Sequence, residues 1–326
     1  MSALAQKFVI TASAVVLATA AGYLCRRFGW VKERVGEAIM TFVGVFGYAA
    51  VGFLSVWGTP LHASDAMLPL MAVAHVVIMT SLSLALAGCV TRDHSERGLF
   101  AVAGGVGNNG FTMGAFVLYL LYGEAGMGLG NLYCLLFMPV AVLLIFPLAR
   151  HFASKQRQGS LASLLMHNLF DWRSIGLPLV GVAIVLSALG VPRPPQIVAW
   201  HVMDALVYTI TPLAFFGIGL RLHIAHVLTL WRMLLGLAVV RFAVGAAVGV
   251  ALSWLTWLTP WPLHGLRWNV NVIESFVPTA VTMVAVANMF SLRPREASAL
   301  FVVNTMMYLA LVLPVVFWIF GSGVTP

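Results

Sequence analysis

Charged side chains are scarce in this sequence. Asp, Glu, Lys and Arg together make up 9% of the 326 residues, whereas hydrophobic residues make up 61% and the mean hydropathy is +0.98. An ordinary soluble domain carries about 25% charged residues. The composition therefore excludes a sizeable soluble domain and predicts an all-α polytopic membrane protein embedded in the lipid bilayer.

Cysteine pairs and catalytic motifs are also missing. The three cysteines stand far apart without a Cys-x-x-Cys or Cys/His spacing, which excludes a disulfide framework and a zinc site. The sequence has no phosphate-binding loop, so ATP is not a direct energy source, and we expect no cofactor or metal. It also lacks Gly-x-Ser-x-Gly, paired intramembrane aspartates and His-Glu-x-x-His, so we do not expect an intramembrane enzyme.

Apolar runs predict ten membrane spans. Each run is near the length of about 20 residues that a helix needs to cross the hydrocarbon core. The predicted spans are 8–24, 36–57, 66–90, 98–122, 127–149, 174–190, 197–220, 231–257, 267–290 and 296–320.

Basic residues lie mostly on one side of these spans. The net charge is +8, and of the 18 lysines and arginines fourteen fall on one side, three fall on the other, and Arg241 lies within span eight. Loops rich in Lys and Arg stay in the cytoplasm. The bias therefore indicates membrane topology rather than a nucleic-acid partner. It predicts a multi-pass protein of the cell (inner) membrane with both termini facing away from the cytoplasm.

The polar stretch 150–173 divides the spans five and five. We interpret it as a cytoplasmic linker between a first repeat, residues 1–149, and a second repeat, residues 174–326. An odd number of spans in each half gives the halves opposite topology, which predicts an inverted repeat. Transporters built from inverted repeats carry broken helices at matching positions near the bilayer midplane.

Two stretches are suited to break a span. Span four contains GGVGNNGFTMG at residues 104–114, and glycine costs about 1 kcal/mol in a helix interior while asparagine competes for backbone partners. Span nine contains ESFVPTA at residues 274–280, where Pro278 removes an amide donor. In lipid, broken backbone is tolerated only where it is buried in protein or lines a polar cavity. The sequence therefore predicts crossed broken helices in spans 4 and 9.

These stretches resemble the auxin efflux carrier family, which comprises plant auxin exporters and bacterial relatives assigned to malonate transport. GNNGF at residues 107–111 resembles the family's Gly-Asn-Thr-Gly-Phe, and YGEAG at residues 122–126 resembles its Phe-Gly-Glu-x-Gly. Residues 277–320 look like the last two spans of the family, and residues 208–222 look like its seventh span. Ala115 stands where the family usually has a proline.

The resemblance implies a carrier with two domains. Spans 1, 2, 6 and 7 would form a scaffold, and spans 3–5 and 8–10 would form a transport domain that contains the crossed helices. This partition is what the resemblance implies, and the periodicity of the sequence does not show it.

Polar groups at the two breaks are the candidates for substrate binding. Their amides offer donors and acceptors that suit a carboxylate or a cation with oxygen ligands. The alternative is that they only satisfy the broken backbone, with hydroxyls bonded to a carbonyl one turn back. Asn131 and Asn304, early in spans five and ten, either support the breaks or join neighbouring helices. The candidates at the breaks are Asn108, Asn109, Gly110, Ser275, Pro278 and Thr279.

Four further groups are candidates for anion binding or ion coupling. A buried Arg241 in span eight either holds a carboxylate with its fork or pairs internally with Asp204 or Glu274. Glu274 is a candidate carrier of a proton or cation, or else a carboxylate that faces water. Asp204, one turn from His201, could share a proton with it, or the two side chains could simply be solvated at the membrane interface. His75 in span three is either a titrating group or a packing histidine.

The leading functional hypothesis is a secondary transporter, an efflux carrier that moves a small organic anion by alternating access of the crossed-helix domain. One alternative is a sodium-coupled symporter of the bile-acid type, and another is a non-transporting membrane receptor or sensor. The sequence leaves open the identity of the anion and coupling to protons, sodium or the membrane potential. It also leaves open whether the protein forms a homodimer.

Overall fold

The computed structural model describes residues 3–153, 175–221 and 227–321. Within these ranges the chain is helical and contains no β-strand, apart from one isolated antiparallel bridge between Gly107 and Thr279. The all-α prediction is confirmed for these residues. Most of the predicted linker 150–173 lies outside them, so the linker remains a prediction.

Seventeen α-helices make up the described ranges, and several continue into one another through short π-helical turns. In chain order they are α1 (Ala3–Arg27), α2 (Glu33–Phe42), α3 (Tyr48–Trp57), α4 (Met67–Val90), α5 (His94–Gly105), α6 (Gly114–Tyr133), α7 (Phe137–Val140), α8 (Phe146–Phe152), α9 (Gly176–Ala188), α10 (Pro195–Ala199), α11 (Val202–Leu220), α12 (Trp231–Ala238), α13 (Gly245–Leu255), α14 (Leu266–Ser275), α15 (Val281–Met289), α16 (Pro294–Met307) and α17 (Leu313–Phe320). The π-helical turns are Val43–Gly47, Ala141–Ile145, Val239–Val244 and Tyr308–Val312.

Six helical segments are long and apolar enough to cross a membrane, which supports a multi-pass membrane protein. They are Arg34–Trp57, Ala63–Val90, Gly114–Phe152, Val202–Leu220, Trp231–Leu258 and Pro294–Phe320. The segment that begins at Gly114 contains a non-helical residue, Gly123 (φ 65°, ψ −151°), so it consists of two helices joined at a turn. The full set of ten spans in two inverted halves stays a prediction.

Spans four and nine are broken where the sequence predicts. Helix α5 has 12 residues and ends at Gly105, and the next helix begins at Gly114. Helices α14 and α15 have 10 and 9 residues, and the non-helical segment 276–280 separates them. Glycine and asparagine interrupt span four, and proline interrupts span nine, because each of these residues weakens the backbone hydrogen bonding of a helix.

The chain divides into two compact units, each made of several segments. The first unit contains Met1–His62, Gly110–Leu132 and Phe170–Leu222. The second unit contains Ala63–Asn109, Tyr133–Leu169 and His223–Pro326.

The first unit is built on close packing of α1 against α11. A Cβ atom added at Gly22 would collide with the carbonyl oxygen of Phe216, and one added at Gly219 would collide with that of Thr19. Only glycine lets the two backbones approach so closely, which is the usual way in which membrane helices associate. The Oγ1 atom of Thr19 donates to the carbonyl of Val15 at 2.8 Å, so the hydroxyl is satisfied within its own helix.

The second unit carries ion pairs near the ends of its helices. Arg267 pairs with the buried Asp65, and the Nη2 atom of Arg293 lies 2.8 Å from Oδ2 of Asp93. The Oδ1 atom of Asp93 also accepts from the backbone N–H of Glu96 at 2.9 Å and so caps the start of α5. Both pairs join residues about 200 positions apart in sequence (202 and 200). They therefore link the two halves of the chain within this unit.

Candidate functional site

The two helix breaks meet inside the second unit. We define the first break as residues 106–109 and the second break as residues 276–280. The N–H of Asn108 donates to the carbonyl of Pro278 at 2.7 Å, and the N–H of Ala280 donates to the carbonyl of Val106 at 3.1 Å. These bonds satisfy backbone groups that have no helical partner, which in a membrane would otherwise cost several kcal/mol each.

Arg241 joins the end of α5 to the second break. It lies in the π-helical turn Val239–Val244 and is fully buried. Its Nε and Nη2 atoms donate to the carbonyl of Val277 at 3.0 and 2.8 Å, and its Nη1 atom donates to the carbonyl of Gly104 at 3.2 Å. A cation at the carbonyl end of a helix is favourable because the partial negative charge of the helix dipole lies there.

Gly107 provides the space for this arginine. A Cβ atom at residue 107 would collide with the Nη2 atom of Arg241 and would approach Oδ1 of Asn109 to 2.8 Å. Gly107, which helps to break span four, therefore also leaves the space that the guanidinium of Arg241 occupies beside the first break.

Asn109 joins the first break to the end of α14. Its Nδ2 atom lies 2.6 Å from the backbone oxygen of Glu274 and 2.8 Å from its Oε2 atom. Both of these atoms are acceptors, so the amide presents its nitrogen to Glu274. Glu274 is fully buried. The structure thus brings together Asn109 and Glu274, which lie 165 positions apart in sequence.

Thr279 is held by groups on two neighbouring helices. Its Oγ1 atom donates to the carbonyl of Ala103 at 2.7 Å, and its N–H donates to Oδ1 of Asn304 at 2.8 Å. All three residues are buried. Asn304 on α16 therefore supports the second break, one of the two roles that its position in the sequence left open. The other amide, Asn131, bonds Oγ of Ser55 at 3.0 Å within the first unit.

The remaining candidates at the breaks, Ser275, Pro278 and Gly110, each hydrogen-bond a backbone group. The hydroxyl of Ser275 donates to the carbonyl of Val272 at 2.6 Å, a bond to its own helix, and its side chain packs against Gly249. Pro278 accepts the hydrogen bond from Asn108 described above. Gly110 belongs to the first unit, adopts a positive φ of 77° and accepts at its carbonyl from the N–H of Ala115 at 2.8 Å.

Buried titratable groups surround Glu274 and Arg241. Tyr133 and Tyr308 lie near enough to Glu274 to interact with it electrostatically. His75 interacts in the same way with Arg241 and also hydrogen-bonds the backbone of Gly245. In the described part of the chain, the two tyrosine hydroxyls have no hydrogen-bond partner. Sequence reasoning missed the tyrosines. Tyr308 could have been recognised from the sequence, because it lies in the middle of a predicted span, whereas the tyrosines of the interfacial aromatic belts lie at the ends of spans.

Asp204 lies in the first unit, in a cluster of its own. Its Oδ1 atom accepts from the hydroxyl of Tyr119, and its Oδ2 atom lies 3.3 Å from Nδ1 of His201. The side chains of His201 and Asp204 are 79% and 49% exposed. The sequence correctly placed these two residues beside each other. A proton shared between these two side chains stays a prediction.

Oxygen and nitrogen ligands for a metal do not converge in the part of the chain that the structure describes. Among those residues, no group of three or more His, Cys, Asp or Glu side chains could hold a metal ion. The chemistry that the breaks offer is instead hydrogen-bond donation from amides and a guanidinium to an acceptor. Such an arrangement suits a carboxylate.

Comparison with known families agrees with the geometry. A family profile described as membrane transport protein matches residues 8–319, which is nearly the whole chain. No curated protein gives a match. The resemblance to the auxin efflux carriers, seen first in the GNNGF run and in the last two spans, is confirmed. The chain therefore belongs to the membrane transport protein family, the family of the auxin efflux carriers.

Proposed function

We propose that this membrane transporter is a secondary carrier that moves a small organic anion outward by alternating access. The observation that carries the proposal is the buried guanidinium of Arg241 at the point where two broken helices meet. A charge at such depth in a membrane protein is expensive and by default marks a substrate or ion pathway.

The donor groups at the breaks support an anionic substrate. Arginine has five N–H donors, and three of them are used in the bonds to Val277 and Gly104. Among the described residues two donors therefore remain for a carboxylate, in a region of low dielectric where such bonds are strong. The second break also leads into the N-terminus of α15, and half-helix N-termini bind anionic substrate groups in other transporters.

The proposed mechanism requires a protein built as an inverted repeat with crossed broken helices. Residues 1–149 and 174–326 form the repeats, spans 1, 2, 6 and 7 form the scaffold, and spans 3–5 and 8–10 carry the substrate. The bonds between the first and second breaks support this proposal, because they make the two halves of the site a single body. The division into two compact units agrees with this partition only in part, because residues 110–132 of spans four and five group with the first unit.

Flux into proteoliposomes tests the proposal. Vesicles preloaded with malonate, pyruvate, an indole acid or an amino acid should exchange it for the same labelled compound only if the protein carries it. A carrier gives counterflow of at least one organic acid and none of the amino acid. Saturable binding without flux would instead make the protein a receptor, and flux that requires sodium would make it a symporter of the bile-acid type.

Two variants connect the flux to the proposed site. Arg241→Gln should lose counterflow, because the neutral amide cannot hold a carboxylate with a charged fork. Arg232→Gln is the matched control, since Arg232 lies at the start of the same span and is exposed. Equal flux in both variants would show that the transported anion does not bind at Arg241.

A further inference from the structure

One side of the second half of α6 contacts other segments of the first unit through polar groups and a glycine. This half of the helix follows the non-helical residue Gly123. Glu124, Gly128 and Asn131 are spaced by four and three residues, so they lie on the same side of the helix. We call these three residues the α6 contact face. They and the residues that they contact all belong to the first unit.

An ion pair lies at the start of the α6 contact face. The Nη2 atom of Arg193 lies 2.7 Å from Oε2 of Glu124, and the Nη1 atom of Arg193 donates to the carbonyl of Leu54 at 3.1 Å. Gly58 leaves the space for the guanidinium, because a Cβ atom there would lie 2.2 Å from Cζ of Arg193. The side chains of Arg193 and Glu124 are 13% and 33% exposed. Water can therefore hydrate both charges when they separate, and partly exposed ion pairs stabilise a protein only weakly.

The rest of the α6 contact face meets the end of α3. The Nδ2 atom of Asn131 donates to Oγ of Ser55 at 3.0 Å. A Cβ atom at residue 128 would lie 2.0 Å from Oγ1 of Thr59, so only glycine lets the two segments approach so closely. Hydrogen bonds between membrane helices are individually weak, because the polar groups find other partners when the helices separate. The contact with α3 is thus close but requires little free energy to open.

These contacts account for the grouping of residues 110–132 with the first unit. The proposed mechanism requires the same residues, which belong to spans four and five, to move with the crossed helices. Both statements hold if the contacts form in one access state of the carrier and break in the other. The contact between α1 and α11 is different in kind, because two backbones meet directly at Gly22 and Gly219, and both helices belong to the proposed scaffold.

We propose that the α6 contact face is a releasable contact, which holds the carrier in one of its two access states and separates when the carrier changes to the other. This inference rests on the proposed function, because only a carrier that alternates its access needs such a contact. On separation, residues 110–132 leave the first unit and move with the crossed helices. The charges of Glu124 and Arg193 are then hydrated separately.

Reversible cross-linking of the α6 contact face tests the inference. Ser55→Cys and Asn131→Cys are introduced together into a protein whose three native cysteines are replaced by alanine. A short bis-methanethiosulfonate reagent joins the two thiols through disulfides, mass spectrometry measures the yield, and a reductant removes the link. The readout is counterflow of malonate, pyruvate and an indole acid in proteoliposomes. We expect the cross-linked protein to lose most of its counterflow and to regain it after reduction.

A second cysteine pair serves as the matched control. Ala49→Cys and Gly176→Cys join α3 to α9, which both belong to the proposed scaffold. A Cβ atom at residue 176 would lie 3.7 Å from Cβ of Ala49, which is within the range for a disulfide-linked pair. The cross-linked control should keep its counterflow.

Failure of the inference can be told from failure of the proposed function. Full counterflow in the protein cross-linked between residues 55 and 131 overturns the inference and leaves the carrier intact. Counterflow lost equally in the cross-linked control also overturns it, because the loss is then not specific to the α6 contact face. Absence of counterflow in the untreated wild type overturns the proposed function itself.

Labelling provides a further test that needs no cross-link, in case the cysteine pair does not fold or does not react. Thr59→Cys, in the same cysteine-free background, places a thiol against the α6 contact face, where the native residue is 3% exposed. We expect Glu124→Gln to raise the rate of its alkylation by a water-soluble maleimide about two- to fivefold, because loss of the ion pair raises the population of the open contact. Glu37→Gln, which changes an exposed glutamate of α2, should leave the rate unchanged. An unchanged rate in Glu124→Gln overturns the inference.

Discussion

The side-chain nitrogen of Asn109 lies 2.6 Å from the backbone oxygen of Glu274 and 2.8 Å from its carboxylate. One amide from the first break thus holds both the main chain and the side chain at the end of α14.

Asn109→Leu should abolish transport while leaving the protein folded. Leucine has the same branched skeleton of side-chain atoms but cannot donate to Glu274, so the two breaks lose one of the bonds that orient them. The measurement is counterflow in proteoliposomes, with size-exclusion chromatography as the check on folding. Asn288→Leu is the control, because Asn288 is an exposed residue near the end of α15 whose side-chain amide donates to the carbonyl of Val284 in its own helix. Full activity in Asn109→Leu would show that this contact plays no part in transport.

Thr279→Val should lower the free energy of unfolding by about 1–3 kcal/mol, because it removes the buried bond to the carbonyl of Ala103. The measurement is the thermal midpoint in detergent. Thr305→Val is a matched control, since the Thr305 hydroxyl is buried and has no partner among the described residues. The control should be neutral or slightly stabilising. Equal losses in the two variants would contradict the assigned role of Thr279.

Gly22→Ala should destabilise the first unit, because the added methyl group meets the carbonyl oxygen of Phe216 on α11. Backbone atoms cannot move aside as a flexible side chain can. Gly181→Ala is the control, since nothing lies within 4 Å of a Cβ atom at residue 181. That control should be stabilised by up to about 1 kcal/mol, the difference in helix propensity. The idea fails if Gly22→Ala melts at or above the wild-type midpoint.

Asp93 should make the stability of the protein depend on acid pH. The backbone N–H of Glu96 and the guanidinium of Arg293 hold the pKa of Asp93 below its usual value. A depressed pKa contributes stability above the unfolded value of about 3.9, and this contribution disappears as the pH falls through the folded value. Asp93→Asn keeps a good helix cap and removes the charge.

The wild type should therefore melt at a higher temperature than Asp93→Asn at neutral pH, and the difference should shrink as the pH falls below the unfolded value of about 3.9. Differential scanning fluorimetry across that range measures both proteins. A difference that does not change with pH would mean that the charge of Asp93 adds nothing to the cap.

The sequence predicted the fold where local chemistry decides it. Glycine, asparagine and proline weaken a helix at their own positions, so the breaks near Asn108 and Pro278 could be placed without a structure. The burial of Arg241 also followed from its position inside an apolar run. These features depend on residues close together in the chain.

The partners of these groups could not be predicted in the same way. Arg241 donates to Gly104, 137 positions away, and Asn109 donates to Glu274, 165 positions away. Periodicity carries no information about such pairings, which arise only when distant helices pack. For the same reason the sequence suggested an ion pair of Arg241 with Asp204 or Glu274, whereas the described hydrogen bonds of its guanidinium go to backbone carbonyls.

The most direct test of the central claim, an anion site at the two breaks, is thermal stabilisation of the purified protein by a panel of mono- and dicarboxylates, indole acids and amino acids. A compound that binds the folded state raises the thermal midpoint by mass action. Our account predicts that at least one carboxylate raises the midpoint of the wild type and of Arg232→Gln but leaves that of Arg241→Gln unchanged. A shift of equal size in Arg241→Gln, or no shift with any acid in the wild type, would contradict it.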